Sequence, residues 1–161
     1  MENVKLRRYI SSDYDTVLRL HFEGLQQHGV RINTELVPGL DDDLGRIEEE
    51  YLKDGDFLLA TINEVPVGIG AIRKIDTRTM EIKRMRVEPA YQERGIGSMI
   101  LDALIEKARR LGYGRLILDT TDRMQVARHL YISRGFREYR RNTFGNILVI
   151  YYEMDLAKNR I

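Results

Sequence analysis

The stretch Val87–Ile100, VEPAYQERGIGSMI, sets two glycines one residue apart at the start of a run with helical periodicity. A helix N-terminus exposes backbone N–H groups that no earlier carbonyl satisfies, together with the positive end of the helix dipole, so it favours an anion. Gly95 and Gly97 carry no side chain to block a close approach, and Gln92 and Arg94 place donors beside the same turn. A guanidinium suits phosphate oxygens. The chemistry this pattern fits is the binding of a phosphate, above all a pyrophosphate. The alternative is that the glycines only shape a strand-to-helix loop.

Other chemistries find less support. The chain has no cysteine, which excludes disulfides, thiol nucleophiles and thiolate metal sites. His21, His28 and His129 lack ligand spacing and read as surface or helix-packing residues, so no metal is expected. The acidic run Asp41–Asp43 reads as the start of a helix. With a formal net charge of +1, nothing in the overall balance calls for nucleic acid or an anionic membrane, and any anion site must be local. The N-terminal residues lack the apolar core of a signal peptide, and no window approaches a membrane span, so a soluble, cytoplasmic protein is expected.

The elements that must position the glycine turn follow from periodicity. VKLRRY alternates like a half-buried strand, and Ser12 with Asp15 resembles a capping box for a helix from about Asp13 to Gln27, stopped at Gly29. The segment Val30–Gly39 shows no clean period, and Leu40–Leu52 looks like a second, acidic helix. DFLLATI and VPVGIGAIRKI are strand-like runs joined by the short polar turn Asn63–Glu64.

TMEIKRMRV is a third strand with broken parity. Met80 and Ile82 share one face, whereas Met85 and Val87 join them only if a bulge lies near Lys83 or Arg84. The helix after the glycine turn, about Gly95–Leu111, carries the stripe Ile100, Leu101, Leu104, Ile105 and Ala108, with Gly112 as its stop. RLILD reads as a strand covered on both faces. A short helix ends near Gly135, and two antiparallel strands follow around Gly145 and Asn146. At 161 residues the chain is expected to form one domain, residues 1–161, burying about two-thirds of its unfolded surface.

A dinucleotide-binding reading requires GxGxxG in a tight turn directly after a strand, with an acidic residue about 20 positions on. Asp119 lies near that distance, but Ile100 stands where the third glycine belongs. Glu88–Arg94, with Pro89, is also too long for the turn.

MEIKRMRVEPAYQERGIGSMILDALIEKARRLGYGRLILDT followed by VARHLYISRGF resembles the central motifs of the GNAT superfamily of acyl-CoA-dependent N-acyltransferases, over about Phe57–Phe136. The family signature Q/R-x-x-G-x-G/A is met by Gln92, Gly95 and Gly97. The resemblance implies an α/β fold, a mixed, mostly antiparallel seven-stranded sheet flanked by about four helices. It also implies transfer of acetyl from acetyl-CoA to a small-molecule or peptide primary amine, by direct attack in a ternary complex. A non-catalytic acyl-CoA-binding module on the same fold is the alternative, and a homodimer is common in the family.

Carried over residue by residue, the resemblance places the coenzyme A pyrophosphate at Gln92, Glu93, Arg94, Gly95, Ile96, Gly97 and Ser98. The pantetheine arm then pairs with the strand at Met85, Arg86 and Val87, where an N–H near Val87 would polarise the thioester carbonyl. Thr120, Ala127 and Tyr131 complete the cofactor contacts. Many relatives have an asparagine where this chain has Met124, so that contact falls to Thr120, Thr121 or Gln125.

An alkyl ammonium with a pKa near 10.4 is neutral only about once in 10³ molecules at pH 7, and removing its proton costs about 4 kcal/mol. A base is therefore useful. The resemblance nominates Glu81, whose alternative is an ion pair with Lys83 or an arginine. Tyr131 matches the tyrosine that gives a proton to the departing thiolate, and otherwise packs beside Phe136. Arg140 and Arg141, in the last hairpin, either recognise an acidic acceptor or form a solvated edge.

Overall fold

The structure, a computed structural model, describes residues 3–27 and 41–157. The expected stop at Gly29, His28 and the segment Val30–Gly39 lie outside the described residues. The strands are β1 (Val4–Arg8), β2 (Asp56–Ile62), β3 (Val65–Lys74), β4 (Thr79–Val87), β5 (Arg115–Thr121), β6 (Arg137–Phe144) and β7 (Ile147–Asp155). The helices are α1 (Tyr14–Gln27), α2 (Ile96–Arg110) and α3 (Gln125–Ser133). The strands form one seven-stranded sheet in the order β1-β2-β3-β4-β5-β7-β6, antiparallel throughout except for the parallel β4–β5 pair. This is the expected α/β architecture.

Each face of the sheet has its own core. The α2 stripe, including Ile100, Leu101, Leu104 and Ala108, packs with Met80, Ile82, Leu116 and Leu118. On the other face, Val17 and Leu20 of α1 pack with Tyr51, Phe57, Leu59, Ile69 and Ala71. Burying a Leu or Ile side chain contributes about 1.5–3 kcal/mol, so these two faces supply most of the drive to fold. No helix among the described residues is long and apolar enough to cross a membrane.

The broken parity of β4 has the expected cause. Ile69 pairs with Arg86 and Ala71 with Lys83, so Gly70 alone faces Arg84 and Met85, and Arg84 takes φ 62°. The bulge turns Met85 and Val87 back toward the core that holds Met80 and Ile82. Gly70 is where Ile100 and Met85 crowd the backbone too closely for any side chain. At the β2–β3 turn, Asn63 and Glu64 both have positive φ (50° and 67°), the signature of a tight hairpin.

Three local expectations are corrected. The reach-back at the α1 entry comes not from Asp15 but from Asp13, which closes the 3-10 turn Ser11–Asp13 before the helix: its carboxylate accepts from the Ile10 amide at 2.9 Å and from Arg7 at 2.8 Å. The segment 42–52 is helical but irregular: Asp42–Arg46 is a tight 3-10 turn and Glu48–Leu52 a wide π turn. In β5, Leu116 and Leu118 are buried while their neighbours are not, so the strand is covered fully on one face only.

Candidate active site

The site is a gap in the sheet. β4 and β5 pair only at Thr79–Arg115, Met80–Leu116 and Glu81–Ile117. Beyond Glu81 the bulge carries β4 away, and both strands go on without pairing to each other. The resulting cavity, about 640 Å³, is lined by Ile82–Val87 of β4, by Asp119–Thr121 of β5, by the mouth of α2 and by residues of α1 and α3.

The α2 mouth has the open form anticipated for an anion. Gly95 is its N-cap at φ +82°, no side chain caps the helix, and the first intrahelical bond is the Met99 amide to Gly95 O at 3.0 Å. Glu93, also left-handed at φ 64°, turns the chain into the same loop. A Cβ at Gly97 would stand 3.8 Å from Leu130 Cδ2 and Val87 Cγ2, an ordinary contact, so neighbouring protein does not demand glycine there. What the missing side chain keeps clear is the cavity, since Gly95, Ile96, Gly97 and Ser98 all line it. Gln92 also lines it and donates from Nε2 to Val87 O at 2.9 Å, tying the turn to the end of β4.

The structure brings Met85, Arg86, Val87, Gln92, Glu93, Thr120, Ala127 and Tyr131 to this cavity. It does not bring Arg94 there: that side chain donates to Ala90 O at 3.2 Å and lies over the Tyr91 ring at 5.1 Å. Nor does it bring Glu81, which faces Arg73 and accepts from its Nε at 2.9 Å. Arg140 stacks on Tyr151 at 4.1 Å and Arg141 pairs with Glu138, so neither lines the cavity.

Tyr131 is buried, and its ring packs against Phe136 at 6.0 Å and Tyr152 at 6.3 Å. Burial pushes its phenol up to about 12, so it holds its proton at neutral pH. Met124, at the usual asparagine position, is buried against Leu25. Nearby, the buried Thr121 hydroxyl has no hydrogen-bond partner among the described residues.

Two features carried no local sequence signal. Asp119, open to the cavity yet ringed by protein, has its carboxyl pushed up by burial, with Lys83 opposing the shift. Arg84 reaches across to the segment before β2. Its Nε donates to Asp43 at 3.0 Å and its Nη1 to Asp41 at 2.8 Å, while Tyr51 donates to Asp43. Asp41–Asp43 is therefore more than a helix start.

Burial alone would raise the Asp43 carboxyl, but hydrogen bonds from Arg84 hold it below its ordinary value. Asp41 is held down to about 2, first by its bond to His21 and then by Arg84. His21 is fully buried in α1, and burial favours its neutral form. His129 is exposed. Among the described residues no group of His, Asp and Glu is arranged to hold a metal ion.

Comparison with known proteins places this geometry. The chain is 40% identical over 72 residues to the uncharacterized N-acetyltransferase YsnE of Bacillus subtilis, a match covering 44% of this chain and about half (48%) of that protein. Its fold superposes on an acetyltransferase of the GNAT family from Staphylococcus aureus with a TM-score of 0.84 at 23% identity, covering 96% of this chain and 99% of the other. A second superposition, with YncA of Salmonella typhimurium solved with acetyl-CoA, has a TM-score of 0.74 at 19% identity over 96% and 94% of the two chains. The family model of the acetyltransferase (GNAT) family matches residues 23–136. With the split between β4 and β5 and the uncapped mouth of α2, this match establishes that the chain belongs to the acetyltransferase (GNAT) family.

Proposed function

We propose that the protein transfers an acetyl group from acetyl-CoA to a primary amine. The observation that carries this reading is the opening of the bare α2 mouth into the gap between β4 and β5. The residues present fit the donor. The unpaired amides around Gly95–Ser98 suit a diphosphate. The edge of β4 at Met85–Val87 that β5 leaves open suits the amides of the pantetheine arm, and the Thr121 hydroxyl, unpartnered among the described residues, supplies a donor in place of the asparagine.

Bound acetyl-CoA would supply a thioester carbonyl open to attack. Asp119 lines the cavity and its raised pKa makes it a better base, so it takes the role expected of Glu81, accepting the proton the ammonium must lose. Tyr131 keeps its proton and gives it to the departing thiolate sulfur. One C–S bond breaks and one C–N bond forms; the nitrogen loses its second proton as the tetrahedral adduct collapses, that proton restores the Tyr131 phenol, and Asp119 returns the first to solvent.

Release of free thiol from acetyl-CoA in the presence of candidate amines tests the reading. Turnover that depends on the amine is expected. Saturable acetyl-CoA binding with no thiol release across polyamines, amino acids, aminoglycosides and peptides would instead indicate a non-catalytic binding module.

A further inference from the structure

Two arginines enter the cavity wall from the bulged end of β4, and they are not equivalent. Arg84 is matched by Asp41 and Asp43. Arg86 has no ion pair among the described residues, and its one hydrogen bond there is from Nη1 to its neighbour's carbonyl, Met85 O, at 2.8 Å. Its Nε is buried with no hydrogen-bond partner among the described residues.

A guanidinium taken out of water without a counter-charge is costly. Burial above all, with the neighbouring Arg84 charge adding to it, pushes this one down to about 10, which still leaves it charged at neutral pH. The fold nevertheless makes room for it, because a methyl group at Gly24 of α1 would meet Arg86 Cδ at 2.5 Å. Structural arginines are normally stabilised by a carboxylate of their own protein, as Arg84 is. Arg86 is built to wait for one.

Its position indicates whose. Met85 and Val87 turn toward the α2 core, whereas Arg86 lies against α1, on the other face of the strand from the glycine turn. The charged and polar groups that act on it include Tyr131 and Asp119, the two groups assigned to the proton transfers. A carboxylate bound to Arg86 would therefore belong to the molecule whose amine sits at Asp119. From this we infer that the acceptor is a free amino acid, its carboxylate paired with the Arg86 guanidinium in the bidentate geometry such pairs favour. This rests on the acetyl-transfer reading and narrows it: amines without a carboxylate leave Arg86 unpaired in the complex.

The test compares, with acetyl-CoA, a panel of free L-amino acids against their amides and decarboxylated amines. For amino acids that are turned over, kcat/KM should fall about tenfold or more when the carboxylate is removed. The variant Arg86→Met should abolish that preference and Arg86→Lys should keep part of it. Both should retain the thermal shift given by acetyl-CoA, which shows that they fold and bind the donor.

Equal turnover of carboxylate-free amines by the unaltered protein would overturn the inference and leave acetyl transfer standing. Loss of acetyl-CoA affinity in Arg86→Met would also overturn it, since the guanidinium would then serve the coenzyme. If the unaltered protein does not bind acetyl-CoA at all, the acetyl-transfer reading fails and this inference fails with it. A readout independent of turnover is calorimetric titration of the turned-over amino acid into protein saturated with coenzyme A, where heat in the unaltered chain and none in Arg86→Met is expected.

Discussion

Gln92 Nε2 holds the Val87 carbonyl at 2.9 Å, so the loop that leads into α2 is fastened to the last residue of β4. The same amide group also pairs with Gln27 of α1 at 2.8 Å. One side chain thus links three elements around the cavity. Gln92→Ala removes both bonds, each contributing about 1 kcal/mol. The expected result is a severalfold weaker acetyl-CoA affinity with a small change in Tm, measured by calorimetry and thermal melts. An unchanged affinity would show that the turn holds its shape without this tie.

Tyr131→Phe keeps the ring contacts with Phe136 and Tyr152 and removes only the hydroxyl. Turnover should fall about 10²-fold or more while the acetyl-CoA dissociation constant and Tm stay nearly constant. Unchanged turnover would remove the tyrosine from the reaction.

Asp119→Asn tests the base. Burial raises the Asp119 carboxyl above the ordinary value of about 3.9, so kcat/KM in the unaltered enzyme should rise with pH through a pKa above that value. The asparagine variant should lose that limb and about 10²–10⁴-fold in rate. The matching variant Glu81→Gln breaks a contact with Arg73 outside the cavity, and should cost less in rate. The reverse ranking would return the base to β4.

Acid should destabilise the protein through two groups acting with one sign. Asp41, held down to about 2, contributes stability that is complete above its unfolded pKa of about 3.9 and fades as pH falls toward 2. His21, whose folded pKa lies below about 6.5, stays neutral while the unfolded chain takes up a proton, so it too costs stability as pH falls below that point. Denaturant midpoints measured from pH 7 to pH 3 should decline, with a shallower decline in Asp41→Asn. Equal slopes for the two chains would contradict the coupling of Asp41 to His21 and Arg84.

Much of this architecture was legible in the residues. The order of strands and helices follows from local periodicity, and the bulge followed from parity alone: Met80 and Ile82 cannot share a face with Met85 and Val87 on a regular strand. The glycine turn was legible because an open helix mouth is a local property. The choice between Glu81 and Asp119 was not, since it depends on where β4 and β5 part and on which side chains then face the gap. The Arg84 pairs were hidden for a related reason, joining residues 41 and 43 positions apart with no periodic signature. Arg86 was read as a cofactor contact on the strand, and its distinguishing feature, the lack of an ion-pair partner among the described residues, exists only in three dimensions.

The account depends most on the bare mouth of α2. Calorimetric titration of acetyl-CoA into the unaltered chain and into Gly97→Val tests it directly, because the glycine has room for a Cβ as far as the protein is concerned. The account predicts saturable binding by the unaltered chain and at least about tenfold weaker binding by a variant that melts normally. Equal affinity in the two, or no heat from the unaltered chain, would contradict it.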